Sequence, residues 1–189
     1  MSKLRLENAR FGLHGPSDLL DKLLADILRL EREATSGFRP VAFAAFDCAV
    51  AAWSLLDWTF HAIEPGRRAA VGVTAKSEKE GQHQLQHFLM ANRNMDWLTT
   101  CHDLATGAKH FYVNHMQGPG WTTAGVAGIG RPLRAGDPVG GPIRAHYWAY
   151  IEIGGAWQDG ADFFKRAYRD WKSFLDDLPE MTPPSRNDY

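Results

Sequence analysis

Asp103, Lys109 and His110 fall within eight residues of one another, in the stretch Cys101-His102-Asp103-Leu104-Ala105-Thr106-Gly107-Ala108-Lys109-His110-Phe111. An imidazole titrates near neutral pH and an ammonium can hold a phosphate oxygen, so this pairing suits phosphodiester chemistry or phosphate binding. His110 and Asp103 are the catalytic candidates if there is a reaction, with the carboxylate orienting a ring. A structural reading accounts for the same residues. Gly107 serves as a helix C-cap, and Lys109 and His110 are then favourable charges near a negative helix end.

A second group lies upstream. Asp47, Ser54, Asp57 and His61 are spaced seven, three and four apart. Those intervals return to one angular sector of an otherwise apolar helix. Carboxylates on such a helix need partners or a wet groove. Lys109, Arg93 and the arginines of the first helix are candidate partners. Asp57, His61, Asp103, Lys109 and His110 are therefore the expected ligand-binding set, converging on one polar pocket between two helices. In the plainer alternative, Asp57 and His61 hydrogen-bond their neighbours at a solvated seam.

Other chemistries find less support. His83 and His87 stand four apart, as do Asp57 and His61, but no His-Glu-x-x-His arrangement or cysteine pair at ligand spacing accompanies them. The reading assigns no metal and no cofactor. Gly125-Val126-Ala127-Gly128-Ile129-Gly130 lacks the glycine spacing of a dinucleotide fingerprint and does not open a helix. No serine lies in a nucleophile-elbow context, and Cys48 and Cys101 sit in apolar stretches where burial raises a thiol's pKa.

The elements that must position these residues follow from periodicity. Leu4 to Phe11 reads as an edge strand within a lead-in over residues 1–15. Ser17 is the expected N-cap of a first helix carrying Leu19, Leu20, Leu23, Leu24, Ile27 and Leu28 at i, i+3, i+4 spacing. Pro40 suits the first turn of a second helix, apolar almost all round and ending near Ile63, which belongs at the centre of the fold. Residues 66–78 read as a loop, Glu80 to Ala91 as a third helix, and Met95 to Thr106 as a fourth. From Phe111 the period changes to two. Phe111 to Val113, Trp121 to Ile129 and Ala145 to Ile153 are the expected strands. Between Gly118 and Gly141 eight glycines and several prolines mark turns. A closing helix spans 160–178, and 179–189 is a tail.

The fold class is thus α+β, mainly α: a helical bundle around a central apolar helix, with a small antiparallel β-sheet and a C-terminal helix. One domain over 1–178 is expected, with the bundle at 16–110, the hairpin or sheet at 111–158, and a Gly-rich loop at 117–142. The 189 residues, 44% hydrophobic and 23% charged, suffice for a real core. A net charge of -1 excludes nucleic-acid binding by bulk basicity, though not by a local patch. The apolar run Val41 to Leu56 is shorter than the ~20 residues a bilayer needs and contains Asp47, so no membrane association is expected. Met1-Ser2-Lys3-Leu4-Arg5 is too polar for a signal peptide, which points to the cytoplasm and free thiols.

Two segments carry a resemblance. Ala45-Phe46, Val50, Ala52-Trp53, Leu55 and Asp57-Trp58, followed by Asp103, Ala105, Gly107 and Lys109-His110-Phe111, resemble motifs of uncharacterised bacterial and phage-borne helical proteins. That group is similar, more distantly, to the HEPN superfamily of helical nucleotide- and RNA-associated domains. The likeness implies an accessory protein that binds a nucleotide or an RNA phosphate. Some HEPN members cleave RNA with an arginine and a histidine four to six residues apart at a dimer interface. Here His102 stands where the arginine is wanted, so the ribonuclease motif is incomplete. The rival expectation is a protein–protein interaction or structural module without ligand chemistry. Under either reading a homodimer or protein partner has candidate surfaces in the abundant tryptophans.

Overall fold

The computed structural model describes residues 13–107, 122–130, 145–153 and 156–178. The chain forms α1 (Pro16–Arg32), α2 (Phe38–Ala62), α3 (Glu78–Arg93), α4 (Trp97–Gly107), β1 (Thr122–Gly130), β2 (Ala145–Ile153), β3 (Ala156–Asp159) and α5 (Gly160–Asp177). Short 3-10 turns at Glu33–Thr35 and Pro65–Val71 join the first three helices. The architecture is α+β and mainly α, as the periodicity predicts. The expected strands at Leu4 to Phe11 and Phe111 to Val113, the 117–142 loop and the tail lie wholly or mainly outside the described residues.

α2 contacts α1, α3, α4 and α5 as well as β1 and β2, so it is the element on which the others assemble. Val41, Ala44, Cys48, Ala52, Leu55 and Leu56 are buried along it, and small alanines let neighbours approach closely. Its 25 residues, with a mean hydropathy of 1.4 over the most apolar window, are enough to cross a bilayer by length and composition. The helix is thus longer than the Val41–Leu56 run on which the expectation rested, and 44% of that most apolar window is buried within the fold. Asp47 pairs with Arg29 of α1, one of the partners expected for it.

Helix ends are set by local chemistry. At α1 the cap differs from expectation, because Pro16 already occupies the first turn and Ser17 is exposed. The Asp18 carboxylate instead accepts from the backbone N–H groups of His14 (2.6 Å) and Gly15 (3.2 Å). Residues 66–78 are more ordered than the expected loop. After the 3-10 turn, Gly72 takes φ +73°, a left-handed conformation that glycine adopts without steric cost. Ser77 then caps α3, its hydroxyl accepting from the Glu80 N–H at 3.4 Å, so α3 begins two residues before Glu80. Asn94, at φ +54°, ends it.

The sheet is three-stranded and antiparallel in the order β1-β2-β3, with Thr122 opposite Ile153, Gly130 opposite Ala145, and Tyr150 opposite Asp159. Alternation along β2 is clean. Tyr147, Ala149, Ile151 and Ile153 face the helical core, which leaves Tyr150 to meet Trp157 of β3 at 4.4 Å between ring centroids. β3 runs straight into α5, whose first turn is capped by Asp159 Oδ1 accepting from Ala161 (2.9 Å) and Asp162 (3.1 Å).

Candidate functional site

Asp57 and His61, one turn apart on α2, do form a cluster, and its third member comes from α3. His61 Nε2 lies 3.2 Å from Asp57 Oδ1 and 3.3 Å from Glu78 Oε1. Gln82, one turn further along α3 from Glu78, donates its side-chain N–H to Asp57 Oδ1 at 2.6 Å. All three ionisable side chains are exposed, at 50–66%.

This meeting has a clear structural cause. The left-handed Gly72 and the Ser77 cap start α3 alongside the last turns of α2. Packing then locks the register: Gly81 faces the Phe60 ring so closely that a Cβ there would stand 2.7 Å from Phe60 Cε2. With Gly81 fixed against Phe60, Glu78 and Gln82 fall beside His61 and Asp57.

Asp103 belongs to a different group. On α4 its Oδ1 lies 3.3 Å from His102 Nδ1, and the His102 ring lies 4.6 Å from the Trp53 ring of α2. His102 and Asp103 are partly exposed, at 44% and 35%. Trp53 precedes Asp57 by one turn, about 6 Å of helical rise. Among the described residues no hydrogen bond or ion pair joins Asp103 to Asp57 or His61. The two polar groups share α2 but have their partners on different helices. Lys109 and His110 lie outside the described residues.

The remaining expected partners are engaged elsewhere. Arg93 pairs with Asp177 of α5 at 2.5 Å. His83 and His87 are exposed ring neighbours with centroids 4.6 Å apart. Cys48 and Cys101 are free and buried, and burial pushes both thiols well above the ordinary cysteine range, which removes them as nucleophiles. A separate concavity of about 330 Å³ opens between the end of α1, β2 and the start of α5. Its Lys165 is held by Glu31 at 2.5 Å and approaches Asp162 at 3.7 Å.

Glu78 and Gln82 are the site residues that sequence reading missed. The usable signal was Ser77-x-x-Glu80, a capping signature that starts α3 early enough to include Glu78. Trp53 stands within the first resemblance motif and His102 immediately before the second, but their contact depends on how α4 crosses α2. No protein-family profile, curated protein or solved structure matches this chain.

Proposed function

We propose that this chain is an accessory protein of HEPN-like kind that binds the phosphate of a nucleotide or an RNA beside the C-terminal turns of α4. The observation that carries the reading is the seating of His102. Its ring rests on Trp53 and its Nδ1 is held by Asp103, and His102 stands seven residues before Lys109 in the chain. A ring fixed in this way has its orientation set before a ligand arrives, and Lys109 and His110 add donors for phosphate oxygens. Asp57, His61 and Glu78 are left out of the phosphate contact, because two carboxylates at one histidine repel an anion. The activity is binding rather than cleavage, since His102 replaces the arginine that the nuclease motif needs.

Titration of a fluorescently labelled single-stranded RNA, with ATP as competitor, tests this. Lys109→Ala and His102→Ala should each weaken binding by about tenfold, roughly 1.4 kcal/mol, with an unchanged melting temperature. Absence of titratable binding to either probe, or identical affinity in both variants, overturns the reading.

A second reading, a protein-interaction module, has its own observation. Phe38 and Phe43 in the first turns of α2 are 56% and 65% exposed, and Trp157 on the outer strand is 60% exposed. Such rings are enriched at interface cores. Loss of self-association or partner capture in Phe43→Ser, with RNA binding intact, would favour this reading over the first.

A further inference from the structure

We propose that Asp57, His61 and Glu78 form a binding site for a divalent first-row transition-metal ion, one that takes Zn²⁺ more tightly than Mn²⁺. This goes beyond the phosphate reading and does not depend on it. The inference departs from the sequence expectation of no metal, because Asp57 and His61 alone supply two donors while the fold brings a third from another helix.

The three donor atoms are close enough to converge on one ion with small side-chain adjustments. Donors bound to a single ion at about 2.0–2.2 Å stand about 2.8–3.1 Å apart when adjacent in an octahedral arrangement and about 3.3–3.6 Å apart in a tetrahedral one. The His61 nitrogen lies 3.2 and 3.3 Å from its two carboxylate oxygens, and all three donor atoms lie within 4.8 Å of one another. With the imidazole neutral, Asp57 and Glu78 give the donor set a formal charge of -2, matched by a divalent cation.

The surroundings also favour an ion. Gln82 donates to Asp57 Oδ1 at 2.6 Å, the kind of outer contact that fixes a ligating carboxylate. Arg68, a cation near the end of α2, is turned onto the Phe60 ring at 4.2 Å and donates to the carbonyls of Phe60 and Ile63. Among the described residues it forms no ion pair with Asp57 or Glu78. Imidazole selects a first-row transition ion over Mg²⁺ or Ca²⁺, which prefer oxygen donors. Three protein donors on an exposed surface leave positions for water or a further ligand. The ion would also tie the start of α3 to the end of α2.

The test uses the full chain stripped with EDTA and titrated calorimetrically with Zn²⁺, Mn²⁺ and Mg²⁺, together with thermal melting and the visible absorption of added Co²⁺. One Zn²⁺ per chain is expected, with affinity falling from Zn²⁺ to Mn²⁺ and little response to Mg²⁺. His61→Ala and Glu78→Gln should each weaken Zn²⁺ binding by at least about tenfold and remove the Co²⁺ bands. His83→Ala/His87→Ala should change neither. Full Zn²⁺ affinity in His61→Ala, loss of binding in the His83/His87 variant instead, or no saturable binding to the parent chain would each overturn the site. Because His61 and Glu78 take no part in the RNA titration above, failure here leaves the phosphate reading standing, and the reverse also holds.

Discussion

At the scale of single residues, the described side chains divide into those the fold seals and those it leaves to solvent. Cys48 and Cys101 are at one extreme. Burial is the largest cause of their raised pKa, with Asp26 adding to it at Cys48. In the unfolded chain both thiols ionise from about pH 8.5, whereas in the fold they stay neutral. The folded state then holds more protons, so stability falls as pH rises through that window, by up to about 1.4 kcal/mol per unit for each thiol. Denaturant titrations at pH values from 7 to 10 should show this decline, and Cys101→Ala should make it shallower. A thiol reagent should label neither cysteine in the native protein at neutral pH and both after unfolding; rapid native labelling would refute their burial. Burial of the cysteines was legible in the sequence because each lies in an apolar helical run. The Asp57–His61 pair was legible too, since i, i+4 spacing fixes a shared helix face. Glu78 was not, because no local rule says where the chain re-enters after the Pro65–Val71 turn.

At the scale of elements, periodicity foretold the helices and strands well wherever one face is apolar and the other polar. β2 matches its predicted bounds, and α5 nearly so, because Phe163, Phe164, Ala167, Trp171, Phe174 and Leu175 mark a continuous buried stripe. The misses are at junctions, where capping and steric contact decide. The 66–78 segment was read as loop because a 3-10 turn leaves no long period. The β3–α5 junction depends on a close approach that sequence does not reveal. A Cβ at Gly160 would lie 2.8 Å from Ala149 Cβ and 3.1 Å from its carbonyl oxygen, and backbone cannot swing aside as a side-chain end can. Gly160→Ala should therefore destabilise the protein by about 1–3 kcal/mol despite alanine's better helix propensity. Gly66→Ala, with nothing within 4 Å of its added carbon, serves as the control and should be near neutral. Urea unfolding of the two variants measures the difference, and equal midpoints would mean that β2 does not lie where α5 begins.

At the scale of the whole molecule, the question is what fastens the last helix to the first ones, since α5 arrives after the sheet and closes the core. Trp171 is completely buried, donates its indole N–H to the Ala52 carbonyl of α2 at 2.9 Å, and meets Trp97 of α4 edge-on at 6.2 Å. Trp97 in turn donates to Asp170 at 2.8 Å, so two indoles cross-link α2, α4 and α5. Composition showed seven tryptophans and suggested spare ones for a partner surface; these two are instead keystones of the core. The Arg29–Asp47 pair also joins two helices, but its side chains are 40% and 41% exposed, where water and salt screen the charges. The two links should therefore differ sharply in worth. Trp171→Phe, which leaves a void and an unmatched contact in the interior, should cost about 2–4 kcal/mol. Asp47→Ala should cost less than about 1 kcal/mol, and that small loss should shrink further in high salt. Chemical denaturation with a common slope for parent and variants gives both values. If Asp47→Ala proved as damaging as Trp171→Phe, surface charge rather than the indole junction would be what holds α5 and α1 around the central helix.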